Sequence, residues 1–136
     1  MNRDEIKKII PHREPMLLVD EAYLIDENTS TGKYTVRGDE FFLKGHFPGN
    51  PVVPGVILCE IMAQSGCVIL ANKIEGATPY FTGLTDVKFK KKVVPGDTLE
   101  IECKMVGERK PFYFAQAIGK VDGKVAVKGS FSFALV

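Results

Sequence analysis

Apolar residues take every second position of TLEIECKMV, residues 98–106. Leu99, Ile101, Cys103 and Met105 alternate with Thr98, Glu100, Glu102 and Lys104. A period of two is that of a strand with one face buried and the other in water. The segments PFYFAQAIGKV (111–121) and KVAVKGSFSFALV (124–136) are β-rich in the same way, and VDGKV between them predicts a hairpin. GLTDVKFKKKV (83–93) predicts another strand, closed by the turn VPGD. MLLVDEAYLI (16–25) and TGKYTVR (31–37) predict two more, and DEIKKII (4–10) a short N-terminal helix ending before Pro11.

The pattern changes in the middle of the chain. Pro48, Pro51 and Pro54 recur every third residue, and from Val56 to Ala71 only Glu60, Gln64, Ser65 and Gly66 interrupt an apolar run. Pro54 suits a first helical position, whose N–H has no intrahelical partner in any case. The spacing predicts a helix from there to about Lys73, with Gly76 beyond it as a terminator. That helix is apolar on nearly every face, so it must be wrapped. Several long antiparallel strands and one buried helix predict an α+β domain over residues 1–136, a curved sheet around a central helix. A single sheet leaves edges to cover, which favours a homodimer.

Composition and charge narrow the partners. The 136 residues carry 18 basic and 17 acidic side chains, for a net charge of +1. That balance gives no global case for nucleic acid or an anionic membrane. Glu60 near the centre of the apolar run argues against a membrane span, since a central carboxylate costs roughly 3 kcal/mol on insertion. The opening MNRDEIKKII lacks the long apolar core of a secretory signal. The three cysteines are odd in number, and Cys59 and Cys67 would lie about 12 Å apart along one helix, too far to bridge. Free thiols in a reducing, cytoplasmic compartment are the expectation. Two histidines and three scattered cysteines offer no ligand spacing, so neither a metal nor a cofactor is expected.

The candidate chemistry gathers at the helix start. Glu60 and Gln64 share a helical face, four residues apart. One reading makes Glu60 a polar subunit contact bonded to Gln64. The other makes it a buried carboxyl whose pKa rises until it holds a proton near neutral pH, as a general acid must. His46 stands between Gly45 and Phe47 at the head of the proline-stiffened turn, which could fix its ring as a base. His12, in PHREP, has no such setting and reads as structural. Gly55, at the second helical position, offers an unpaired N–H at the positive end of the helix dipole, suited to a developing oxyanion. Phe47, Val56 and Gln64 join Gly55 as candidate substrate contacts. Base, acid and oxyanion donor together match a β-elimination next to a carbonyl.

GHFPGNPVVPGVILCEIMAQ (45–64) closely resembles the signature of the β-hydroxyacyl-acyl carrier protein dehydratases of type II fatty acid synthesis, the FabZ type. IIPHREPMLLVDEAYLI (9–25) resembles that family's opening segment, and LTDVKFKKKVVPGDTLEI (84–101) its strand and turn after the helix. The resemblance implies a hot-dog fold and dimers assembled into a hexamer, a trimer of dimers. It implies His46 as catalytic histidine, Glu60 from the neighbouring subunit as catalytic carboxylate, and the Gly55 N–H as the group that polarises a thioester carbonyl. Glutamate rather than aspartate at position 60 favours this type over the related dehydratase-isomerases. Cys59, Cys67 and Lys92 depart from the family's usual residues, outside the implied catalytic set.

Lys88, Lys90 and Lys92 fall on one strand face by alternation, with Arg109 and Lys110 in a later turn. They form either a solvated face or, given the acidic partner that the resemblance implies, a landing surface for acyl carrier protein. The activity to expect is dehydration of (3R)-3-hydroxyacyl-acyl carrier protein to the trans-2-enoyl form. A hot-dog thioesterase and a non-catalytic acyl-binding module are the alternatives.

Overall fold

The computed structural model describes residues 1–71, 73 and 76–136. A short helix, α1 (Arg3–Ile6), is followed by strands β1 (Glu21–Asp26) and β2 (Thr29–Thr35). After the helix α2 (Gly55–Ser65) come β3 (Pro79–Phe89), β4 (Thr98–Arg109), β5 (Phe112–Val121) and β6 (Lys124–Leu135). The six strands form one antiparallel sheet in the order β1-β2-β4-β5-β6-β3, curled around α2 in the hot-dog arrangement.

The two-residue period builds this core directly. Leu99, Ile101 and Cys103 of β4 are buried, as are Tyr113, Ala115 and Ala117 of β5 and Phe131 and Phe133 of β6. Their neighbours Glu100, Glu102 and Lys104 face water. Against this face lie Leu58, Cys59, Ile61 and Met62 of α2. The hairpin at VDGKV is present, with Asp122 and Gly123 both at positive φ, 52° and 77°, the backbone that a two-residue loop requires.

Several expected boundaries move. The first strand starts at Glu21 rather than Met16; Leu17, Leu18 and Val19 are buried but belong to a loop, because core contact and strand pairing are separate demands. The β3 strand begins at Pro79 and stops at Phe89, so Lys90 and Lys92 lie beyond it. The N-terminal helix closes after one turn, capped by an Asn2–Glu5 capping box.

The central helix also ends early, at Ser65, and continues only as a 3-10 turn over Cys67–Leu70. At Ser65 the hydroxyl donates back to Ile61 O at 2.8 Å, and Gly66 N–H bonds Ala63 O three residues back, which tightens the turn. Gly66 is needed there: a Cβ would lie 2.9 Å from Cys103 Sγ. Of the expected continuation, residues 72, 74 and 75 lie outside the described residues. Wrapping is incomplete as well. Val56 is 73% exposed, and with Glu60 and Ala63 it marks a stripe of α2 that the protomer's own sheet leaves open.

Candidate active site

The loop carrying His46 is built by its glycines and prolines. Gly45 and Gly49 have φ of +77° and +79°, the left-handed region where a Cβ is unwelcome. Phe47-Pro48-Gly49-Asn50 closes as a turn, with Asn50 N–H donating to Phe47 O at 2.8 Å; proline second and a positive-φ glycine third are the pattern of type II. Val53 N–H then ties the loop to Val93 O at 2.9 Å.

Within this frame His46 Nδ1 lies 2.9 Å from Val52 O. A carbonyl can only accept, so the proton of the neutral ring is on Nδ1 and Nε2 keeps a free lone pair. The Phe47 ring stacks on the imidazole, centroids 4.2 Å apart. His46 is therefore a ring of fixed tautomer, with a basic nitrogen on its outer edge.

Pro54 caps α2 and Gly55 is its first helical residue, one position earlier than the spacing predicts. The first-turn amides have no intrahelical acceptor, so Gly55 N–H is available at the positive end of the helix. A Cβ at Gly55 would lie 2.8 Å from Phe89 Cζ. Close packing and an open amide thus both call for glycine here.

Glu60 lies one and a half turns further on, beside a cavity open to the surface. The walls are apolar, with Leu70, Phe81, Met105, Phe131 and Phe133 among them, and His12, Glu60 and Gln64 supply polar groups. Gln64, 3% exposed, is fully engaged: its Oε1 accepts from Leu18 N–H at 2.7 Å, and its Nε2 donates to Met16 O at 2.8 Å and Glu60 Oε1 at 3.0 Å. His12 Nε2 lies 3.4 Å from the same Glu60 oxygen.

These contacts correct one expectation. Burial pushes the Glu60 carboxyl up, but the donors on His12 and Gln64 outweigh it and hold the group below its ordinary value. In the protomer Glu60 is an anchored carboxylate rather than a buried acid. His12 is the residue that the sequence reading missed. It is 48 positions from Glu60, a separation without periodicity, and only the fold joins them. The faint local signal was Arg13, whose guanidinium binds the carbonyls of Lys7, Ile10 and His12 and so braces the loop.

The other candidates separate. Among the described residues no hydrogen bond or ion pair joins His46 to Glu60 of the same chain, and His46 does not line the cavity beside Glu60. Phe47 and Val56 are exposed near the helix start. Lys88 faces Lys128 across β3 and β6, whereas Arg109 pairs with Phe112 at the Pro79 end of the sheet. The five basic residues therefore do not form one patch within a protomer, and the alternation assumed for Lys90 and Lys92 fails because the strand has ended.

Residues 10–130 match the FabA-like domain. The chain is 46% identical over 137 residues to a 3-hydroxyacyl-acyl-carrier-protein dehydratase FabZ of Clostridium perfringens, covering 99% of each chain. It is 44% identical to the protein of that name from Caldicellulosiruptor bescii, covering 98% of each. Among solved structures, the dehydratase heterocomplex ApeI:P from Xenorhabdus doucetiae superposes with a TM-score of 0.81 at 21% identity, over 96% of this chain and 90% of that one. At that identity the superposition supports the fold.

Proposed function

This chain belongs to the FabZ-type 3-hydroxyacyl-acyl-carrier-protein dehydratases of the FabA-like domain family, and from that membership we propose how its own residues divide the reaction. The enzyme removes water from a 3-hydroxyacyl chain on acyl carrier protein to give the trans-2-enoyl product, a step of fatty acid biosynthesis. His46 Nε2 takes a proton from C2, and the C2–H electrons form the new double bond to C3. The thioester oxygen, negative in the transition state, lies on the Gly55 N–H. The partner subunit's Glu60 protonates the departing 3-hydroxyl, which leaves as water. The proton on His46 and the one lost from Glu60 are then exchanged with solvent. An acyl chain and a partner surface remove water from Glu60. That opposes its two donors, so its protonation accompanies substrate binding.

The observation that carries this reading is the Nδ1 contact of His46 with Val52 O, two residues before the helix cap Pro54, which leaves Nε2 free. A shared site is supported by the β3 edge, a long strand that is exposed along nearly its whole length and carries Tyr80, Phe81 and Leu84. Antiparallel pairing of two such edges sets the Phe89 end of one protomer, with Gly55, beside the Pro79 end of the other, with its cavity and Glu60. The same pairing brings Lys88, Lys90 and Lys92 of one protomer toward Arg109 and Lys110 at the partner's Pro79 end. That reunites a basic surface suited to an acidic carrier protein. Residues 1–136 act as one domain, and the dimers assemble by threes through outward apolar residues such as Val106, Phe112 and Phe114. A cytoplasmic setting is supported by three buried, unpaired cysteines.

The test is absorbance of the conjugated enoyl thioester formed from a 3-hydroxyacyl thioester. The wild type should form it, and His46→Ala and Glu60→Gln should each lower kcat roughly 10²-fold or more while staying folded. Near-wild-type turnover by either variant removes that residue from the mechanism. Release of free thiol without enoyl product points to a thioesterase.

A further inference from the structure

His12 is tied to Glu60 by more than proximity. Both donors near the carboxyl, Gln64 Nε2 at 3.0 Å and His12 Nε2 at 3.4 Å, converge on Oε1. Oε2 makes no hydrogen bond among the described residues. The Gln64 amide cannot be turned over, because its nitrogen also meets Met16 O and its oxygen meets Leu18 N–H. The His12 ring is partly buried, and its Nδ1 is a buried atom without a partner. A second N–H at that position would face nothing. The neutral ring with its proton on Nε2 puts its one N–H toward Glu60 instead.

We propose that His12 is a positioning residue of the dehydratase site: with Gln64 it pins Oε1 of Glu60, so that Oε2 alone faces the substrate hydroxyl and carries the proton. The inference rests on the reading of Glu60 as the group that protonates the leaving hydroxyl. Its reason is geometric. Gln64 Nε2 donates to Oε1 and His12 Nε2 sits 3.4 Å from the same atom, while Oε2 has no hydrogen-bond partner among the described residues, so the acidic proton has one place to go. A carboxyl able to rotate would present the proton in several directions, and misplacement on this scale costs rate rather than binding.

The titratable groups around the carboxyl are few. Cys59 on the same helix has its thiol raised by burial and by Glu60, and Cys67 and Cys103 along the cavity are pushed to about 12 by burial. Loss of the His12 donor leaves burial less opposed, and the Glu60 carboxyl then titrates at higher pH.

The experiment compares full-length wild type, His12→Met, which fills the ring's space without a donor, and His12→Gln, which keeps an amide donor near the Nε2 position. Side-chain ¹³C NMR follows the Glu60 carboxyl through a pH titration, and kcat for a 3-hydroxyacyl thioester is measured over the same range. In His12→Met the Glu60 titration and the matching limb of kcat should both move to higher pH. There kcat should fall on the order of tenfold with KM little changed. His12→Gln should restore the position of the limb and most of kcat. An unmoved titration in His12→Met, or a His12→Gln variant no better than His12→Met, overturns the proposal. A wild type without dehydratase activity sinks the underlying reading of Glu60 instead, and the NMR titration still decides whether His12 holds the carboxyl.

Discussion

Glu40 shows how a single buried carboxylate holds the approach to the His46 loop. Its Oε2 accepts from Tyr34 OH at 2.7 Å and Arg37 N–H at 3.0 Å, and its Oε1 accepts from Gly38 N–H at 2.7 Å. Burial raises this carboxyl, but the backbone donors of Arg37 and Gly38, with Tyr34, outweigh it and hold it below its ordinary value of 4.5. A carboxyl depressed by folding contributes stability above its unfolded pKa and loses it as pH falls through the folded one. Glu40→Gln should therefore cost about 1–3 kcal/mol at pH 7, where a neutral amide cannot satisfy three donors. The deficit relative to wild type should shrink as melts are repeated below pH 4.5, toward the folded pKa. A difference that stays constant with pH would mean that the charge on Glu40 contributes nothing.

At the scale of elements, the contact that sets the helix in the sheet is between α2 and β2. A Cβ on Gly32 would lie 2.6 Å from both Cβ and Oγ of Ser65. Beside it, Ser30 Oγ donates to Ser65 O at 2.9 Å and satisfies a carbonyl at the helix end. Helix and strand touch here almost backbone to backbone. Gly32→Ala must push them apart, an overpacking of about 1–3 kcal/mol, which for a domain of this size lowers Tm by roughly 3–10 °C. An unchanged Tm would show that the two elements are not packed this closely. The alternation of β4 and β5 is legible in the sequence itself, since each inward residue is decided by its immediate neighbours along the chain. The length of α2 is not: its end depends on Gly66 meeting Cys103, a residue of a distant strand.

At the scale of the molecule, the predictions concern two chains at once. If His46 of one subunit works with the partner subunit's Glu60, co-expression of His46→Ala with Glu60→Gln should recover activity. Each mixed dimer then holds one intact site and one doubly damaged site. Verified mixed dimers without activity would place both residues in one chain's site. The basic surface makes a separate claim about encounter. Charge reversal at Lys88 and Lys90 should reduce kcat/KM for carrier-linked substrate on the order of tenfold, with a loss that shrinks as salt rises. A short thioester without the carrier should be nearly unaffected. Equal losses on both substrates would indicate damage to the fold or the cavity, and no loss on either would leave these lysines as a solvated face.

Periods of two and an apolar run of helical length were enough to specify an α+β sheet around one helix, because hydrophobic burial follows from the local order of residues. The stretch from Gly45 to Gln64 likewise exposed its candidate base, carboxylate and amide to reading, since turn glycines, prolines and a helix start act within a few residues. What Glu60 is bonded to was decided elsewhere. Its pKa direction depends on His12, which the chain brings to Gln64 and Glu60 only when residues 16–18 dock on the helix. The division of the basic residues between two ends of the sheet depends on strand register across β3, β6, β5 and β4. Both are contacts between segments far apart in sequence, and no local periodicity encodes the geometry in which such segments meet.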